Sequence, residues 1–492
     1  MQKLYAQLIA MTVCLLMVAT TAFGVNTSKS VEQVTGLVTL TDDVDYCVTG
    51  ATPFTDDGIV NIENTEHAVL ILLDVKPSKA KSLLAKHVLI SGEKAVNGQN
   101  CQLKMYNRGC IIMPYSRDLK PLTVYSEPNF QGEACNDFGL ESTNGFMNTL
   151  TDKQLNNRIR SFRLKRGHMV TFSLQGEGRG YSRCFIAADR DLEMSSLPAI
   201  MDRSISSYRV FRWYDAGKPQ LAAAGGDAAA CEALNVTSTY SWSAGTDMLP
   251  NQECVSHQIY STWPSPSDCG KPTYTCHLKT SNEPLNKSDD HPEDLKAILA
   301  VWPDLMRTGM RLCTPSSWDG SDYWNGTGFL KTFLDSIDAR GWRCDVLDMH
   351  CYWPEGNFGN LRNWVNAVHR PIWISEWCWG ASWNGNGAFA DGVTKTQVRD
   401  ALKRICNALN GYDYVERYFY WNGERDISKV YLNGALTPAG EMYSKLDGGL
   451  AYNGKYDYVP NAPTQYDPKD LTVSYNSQNS KATIRWYEYN GE

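Results

Sequence analysis

Short apolar runs and amphipathic stretches alternate eight times between residues 205 and 450, a rhythm that predicts strands at 208–214, 236–242, 253–260, 273–282, 310–315, 346–352, 372–377 and 417–421. Helical spacing fills the gaps, clearest at 292–308, 328–340, 358–368 and 395–410. Asp289, Asp290 and His291 ahead of Pro292 are expected to cap the first of these helices, since a proline in the first turn gives up no hydrogen bond. Alternating strand and helix implies a parallel sheet. Eight such units in about 240 residues imply closure into a (β/α)8 TIM barrel over 204–450.

Ahead of the barrel the rhythm shortens. Residues 25–118 hold brief apolar runs between turn residues, Ala68-Val69-Leu70-Ile71-Leu72-Leu73 among them, with one helical patch at 78–86. This predicts a small β-rich domain. A second one is expected at 119–203, around Tyr125-Ser126-Glu127-Pro128-Asn129-Phe130-Gln131-Gly132. There two aromatics pack on each other and the glycine takes a conformation closed to other residues. With Asn156-Asn157-Arg158-Ile159-Arg160-Ser161 following, the segment resembles a βγ-crystallin Greek-key domain. The resemblance implies a calcium loop only where a hydroxyl residue precedes the serine; Arg160 stands there, so no calcium site is expected. A second copy near 172–183 is too degenerate to assign by motif. The domain reads as a packing module or as a carbohydrate-binding accessory.

The two ends of the chain differ again. Lys3, an apolar run over 8–22 and the small residues of Thr21-Ala22-Phe23-Gly24 make residues 1–24 a secretory signal peptide, which implies export to the periplasm, the cell surface or the medium. No other stretch is long and apolar enough to span a bilayer. Residues 460–492 read as the start of a truncated β-sandwich of fibronectin type III kind, too short to bury a core. An exported chain permits disulfides among the 14 of 15 cysteines that remain; Cys269 with Cys276 and Cys344 with Cys351 are candidate pairs, while the apolar contexts favour buried free thiols. No Cys-x-x-Cys pair exists and the eight histidines are scattered, so no metal is implied, nor any organic cofactor. A net charge of -7 without a basic stripe excludes nucleic acid as a partner.

Two glutamates carry the candidate chemistry. Glu283, in Asn282-Glu283-Pro284, ends the fourth strand, and Glu376, in Pro371-Ile372-Trp373-Ile374-Ser375-Glu376-Trp377, ends the seventh. Barrels of this type keep their chemistry at that end of the strands. An acid/base and a nucleophile facing each other across about 5 Å are what a retaining glycosidase needs. Asn282 is placed to bond a sugar hydroxyl beside the reacting carbon. Strict alternation expects Ile372, Ile374 and Glu376 to face the barrel interior and Trp373 to face the helices. His350 and Tyr352 share a face of the sixth strand, with Tyr352 in reach of Glu376. Fifteen tryptophans suit a pyranose-binding surface, and Trp379 and Trp421 are the expected platforms.

Taken together, residues of about 205–450 resemble clan A glycoside hydrolases, and Asn282-Glu283-Pro284, Asp348-x-His350-x-Tyr352 and the Glu376 string most resemble family 128. The resemblance implies an endo-β-1,3-glucanase with Glu283 as acid/base and Glu376 as nucleophile, acting on a polysaccharide or oligosaccharide. The full arrangement resembles exported glycan-degrading proteins of gut Bacteroidetes. A hydrolase of β-mannan, β-galactan or xylan is the alternative, as is a non-catalytic glycan-binding or adhesion protein on the same scaffold.

Overall fold

The computed structural model describes residues 26–140, 144–222, 228–245, 251–284, 286, 293–317, 328–379, 393–423, 425–462, 472–476 and 481–485. The expected signal peptide and the expected cap at Asp289, Asp290 and His291 lie outside them. Of residues 463–492, the two strands Thr472–Asn476 and Lys481–Arg485 are described, paired antiparallel.

The first β region coils. Strands Thr27–Val31, Val44–Val48 and Val69–Leu72 lie parallel in one sheet, and the strands between them, Leu37–Leu40 and Ile59–Ile62, lie parallel in a second that Val88–Ile90 joins. Each turn therefore carries the chain from one sheet to the other. Val48, Val60, Ile62, Leu70 and Leu72 fill the space between them, which explains why the apolar runs here are only four or five residues long. The helix Pro77–His87 and the hairpin Cys101–Asn107 with Gly109–Pro114 complete the layer.

The second region repeats one device twice. At Pro128–Phe130 the chain makes a tight turn with Asn129 left-handed (φ 56°), and at Gly176–Gly178 another with Glu177 left-handed (φ 58°). A serine from a distant strand pins each: Ser161 accepts from Phe130 N and donates to Glu127 O, while Ser207 accepts from Gly178 N and donates to Gln175 O. A second turn of the same kind therefore lies where the sequence motif was too degenerate to assign. Tyr125 and Phe130 meet edge to face at 5.7 Å, and Gly132 sits at φ 77°.

The barrel strands are β1 (Pro219–Ala222), β2 (Ser238–Tyr240), β3 (Glu253–Gln258), β4 (His277–Asn282), β5 (Arg311–Ser316), β6 (Leu347–His350), β7 (Ile372–Trp377) and β8 (Val415–Trp421). All are parallel, β8 returns to β1, and the bridges Cys313 to Val346 and Ser317 to Met349 close the ring between β5 and β6. The first strand differs from the expectation. Residues 208–214 form no barrel strand: Ser207–Arg212 pairs antiparallel with His168–Ser173 in the preceding sheet, Val210 opposite Val170. Its strong β pattern satisfies either sheet, whereas Pro219-Gln220-Leu221-Ala222 is too short to announce itself. The boundary expected at 204 therefore falls ahead of a strand that belongs to the preceding sheet.

A second correction concerns the faces of β7. Ile372 and Ile374 pack outward into the helix layer, and Trp373 lies in the lumen with Tyr240, Val255, Cys313, Val346 and Phe419. The register explains how Glu376 still faces the mouth. From Ile374 to Glu376 the strand advances two residues while β6 advances only one, Met349 to His350, and this bulge flips the alternation. Helices Leu295–Arg307, Phe329–Ala339, Leu361–Val368 and Lys395–Gly411 cover the outside, and Asp294 caps the first by accepting from Ala297 N. Cys269, Cys276, Cys344 and Cys351 are free thiols, so neither candidate disulfide forms. Among the described residues no helix is long and apolar enough to cross a membrane.

Candidate active site

Lumen charge is stacked in two tiers. At the start of the strands Glu253 binds His277 (2.7 Å) and Arg417 (2.6 Å), and Arg311 holds Glu416 with two bonds of 2.7 and 2.8 Å. Burial raises the Glu253 carboxyl, but Arg417 and His277 outweigh it and keep it ionised. Halfway up, Lys279 Nζ donates to Asp348 Oδ2 at 2.5 Å and to Ser316 Oγ at 3.0 Å, and the ammonium lies 4.6 Å above the Tyr240 ring. Lys279 and Asp348 are wholly buried, where a charge needs a partner.

Above this tier the two glutamates converge. Glu283 leaves the end of β4 in a left-handed conformation (φ 41°), two residues after Ser281 at φ 25°; both are uncommon for residues with a Cβ. Its N–H donates to Ser316 O at 3.1 Å, which anchors the departing chain to β5. His350 Nδ1 lies 2.6 Å from Glu283 Oε1 and 3.4 Å from Glu376 Oε2, and one oxygen of each glutamate lies within 4.8 Å of the other. Asn286 Nδ2 donates to Glu283 Oε2 at 2.7 Å. Tyr352 donates to Glu376 Oε2 at 2.7 Å, the contact expected from sequence, and Tyr240 donates to Glu376 Oε1 at 3.3 Å and to Ser375 O at 2.8 Å.

The electrostatics follow from these contacts. Burial pushes the Glu283 carboxyl up, but the hydrogen bond and charge of His350, with the Asn286 amide, outweigh it and leave it below its ordinary value. Burial pushes His350 down, and Glu376 and Glu283 more than reverse this, so the imidazole holds its proton more tightly than usual. Burial and the Glu376 charge drive Tyr240 and Tyr352 far up, which leaves both as neutral donors. The three side chains Glu283, His350 and Glu376 also have the spacing of a metal ligand set. A ligating imidazole must give up its proton, however, and this one is held in an ion pair.

The remaining expected residues take different places. Trp421 meets Tyr352 edge to face at 5.8 Å, so it borders the glutamate pair, and both it and Trp242 pack against the lumen cluster. Asn282 is half-buried at the end of β4, and Trp379 lies two residues past β7, half-buried against the main core. Sequence reasoning missed Tyr240, Asn286 and the Lys279–Asp348 pair. Asp348 stood two residues before His350 and so shares its face; Tyr240 and Asn286 carried no comparable signal.

Residues 235–443 match the family described as glycosyl hydrolase catalytic core. No curated protein matches the chain. The structure is similar to a GH128 subgroup I endo-β-1,3-glucanase from Amycolatopsis mediterranei in complex with laminaritriose, at 24% identity over 46% of this chain and 98% of the other, with a TM-score of 0.41. A GH128 subgroup II endo-β-1,3-glucanase from Sorangium cellulosum aligns at 16% identity over 46% and 98% of the two chains, with a TM-score of 0.39. A GH128 subgroup VII oligosaccharide-binding protein from Trichoderma gamsii aligns at 18% identity over 46% and 92%, with a TM-score of 0.37.

Proposed function

We propose that this protein is an exported, retaining endo-β-glycanase whose substrate is a β-1,3-glucan. One observation carries the reading: two carboxylates at the C-terminal mouth of the barrel, within 4.8 Å of each other and bridged by one imidazole. Carboxyl groups this close fit the retaining arrangement, in which one carboxylate attacks carbon directly, better than the wider gap of inverting enzymes. The match of residues 235–443 to a glycosyl hydrolase core supports the reaction class. The β-1,3 linkage rests on the resemblance of the Glu283, His350 and Glu376 strings, and export on the apolar run over 8–22 after Lys3.

Glu376, held by the Tyr352 and Tyr240 hydroxyls, attacks the anomeric carbon. Glu283 protonates the departing oxygen. Because Glu283 rests ionised, its proton comes from His350 Nδ1 along the 2.6 Å hydrogen bond as substrate displaces water from the mouth. Glu283 then takes a proton from the water that opens the glycosyl ester and passes it back to His350 Nδ1, which restores Glu283, His350 and Glu376 to their starting states. Trp421 and Trp379 serve as platforms for the sugar faces, and Asn282 bonds a ring hydroxyl.

The test is hydrolysis of β-1,3-glucan, β-mannan, β-galactan and xylan, with products resolved by size and the first-formed anomer read by NMR. Mid-chain cleavage of the glucan with β-anomer first is the expected result. α-Anomer first would mean inversion, and binding without cleavage of any of the four would make the protein a glycan-binding one.

A further inference from the structure

Of the tryptophans whose side chains the structure describes, Trp263 alone is exposed, at 54%; the others are buried or half-buried. A single apolar side chain at the surface is ordinary. This one is set apart by its place and its mounting. β3 ends at Gln258 on the rim that carries Asn282 and Glu283, and Asn282 N donates to Ile259 O at 2.8 Å, which ties the outgoing chain to the strand of the acid/base. The chain then closes a tight turn: Tyr260 N donates to Trp263 O at 2.9 Å and Trp263 N to Tyr260 O at 3.0 Å. Within the turn Ser261 N donates to Glu293 Oε1 at 2.6 Å, and just beyond it Gln258 Nε2 donates to the carbonyl of buried Pro264 at 3.2 Å. The backbone on both sides of the indole is therefore fixed, and a ligand seated there has to order one side chain rather than a loop.

Its neighbours suit a sugar. Half-buried Tyr260 and Ser261 and exposed Thr262 put three hydroxyl-bearing residues directly ahead of the indole. An apolar plate with hydroxyls beside it matches a pyranose, which has an apolar C–H face and polar edges. Trp263 is also distinct from the aromatic beside the glutamates. Trp421 ends β8, and β1 and β2 lie between β8 and β3 in the ring. Three strand steps at about 4.8 Å each separate the two positions by about 14 Å along the rim, more than one sugar ring spans.

We propose that Trp263 is a platform for a sugar unit away from the reacting pair, reached only by substrates long enough to extend from the glutamates to the β3 side of the rim. The inference deepens the function proposed above and rests on it for the choice of a glycan. The experiment compares Trp263→Ala and Trp263→Tyr with the unaltered full chain on the trisaccharide and the octasaccharide of β-1,3-glucan. Trp263→Ala should raise KM for the octasaccharide about tenfold while kcat, the trisaccharide rate and the melting temperature stay unchanged. Trp263→Tyr keeps an aromatic plate and should recover most of the loss. An unchanged KM for the octasaccharide, an equal loss on the trisaccharide, or a Tyr variant no better than the Ala variant would overturn the assignment. Calorimetric titration of the chain carrying Glu376→Gln with the octasaccharide keeps the two readings apart. Binding that Trp263→Ala weakens about tenfold, in a protein whose unaltered form cuts nothing, keeps the platform and removes the enzyme. Hydrolysis that Trp263→Ala leaves untouched at both lengths removes the platform and keeps the enzyme. An octasaccharide neither bound nor cut overturns both.

Discussion

His350 Nδ1 lies 2.6 Å from Glu283 Oε1, and the imidazole bridges from there to Glu376 at 3.4 Å. A proton on that nitrogen is shared between the two groups assigned opposite roles. Removing either carboxylate therefore also changes the hydrogen bonding of the imidazole that serves the other.

Substitution separates the roles. Glu283→Ala should lose polysaccharide hydrolysis by about 10²- to 10⁴-fold, yet keep partial turnover of an activated aryl glycoside whose leaving group needs no proton. Added azide should speed that turnover and yield a β-glycosyl azide. Glu376→Ala should fail on both substrates, and with azide give at most the α-azide. The reverse pattern would exchange the two assignments; wild-type rates in both would remove both.

The ion pair makes stability depend on pH in a defined window. The His350 pKa is raised above its ordinary 6.5, so its contribution is complete below 6.5 and fades as pH rises through the raised value. The Glu283 pKa is depressed below its ordinary 4.5, so its contribution is complete above 4.5 and is lost as pH falls through the lower value. Denaturant melts of His350→Asn should therefore show the largest loss between pH 4.5 and 6.5, converging on wild type at higher pH. A loss that is flat across pH would mean the imidazole acts by packing alone.

Beneath the site, the pair of Lys279 and Asp348 should behave as a buried unit. Asp348→Leu alone strands an ammonium with 0% exposure and should cost about 3–5 kcal/mol. The double variant Lys279→Met with Asp348→Leu should regain most of that stability in the same urea titration. Equal losses in the single and double variants would show that the charges are not coupled.

Calcium should leave the melting temperature of the full chain unchanged relative to chelator. Arg160 occupies the candidate loop and binds Glu127 at 2.9 Å and Asp202 at 3.0 Å, so a fixed cation already satisfies the carboxylates there. A clear upward shift with calcium would refute this.

What the sequence by itself determined was periodic or local. All eight segments expected as barrel strands overlap observed strands, seven of them in the barrel, because a short β-patterned apolar run forms a strand whichever sheet finally takes it. Glu283 and Glu376 were legible as strand-end carboxylates, one ahead of a proline and one at the end of an apolar run, since both signals lie within a few residues of the glutamate. Tertiary structure decided the rest. Strand Ser207–Arg212 can pair on either side of a boundary, and only the partner strand His168–Ser173 settles which sheet takes it. Trp373 and Glu376 both face inward although they are three residues apart, because the bulge against His350 breaks the two-residue period that sequence reasoning must assume. Tyr240 reaches Glu376 from 136 positions away along the chain, a contact that closure of the barrel creates and no local pattern encodes.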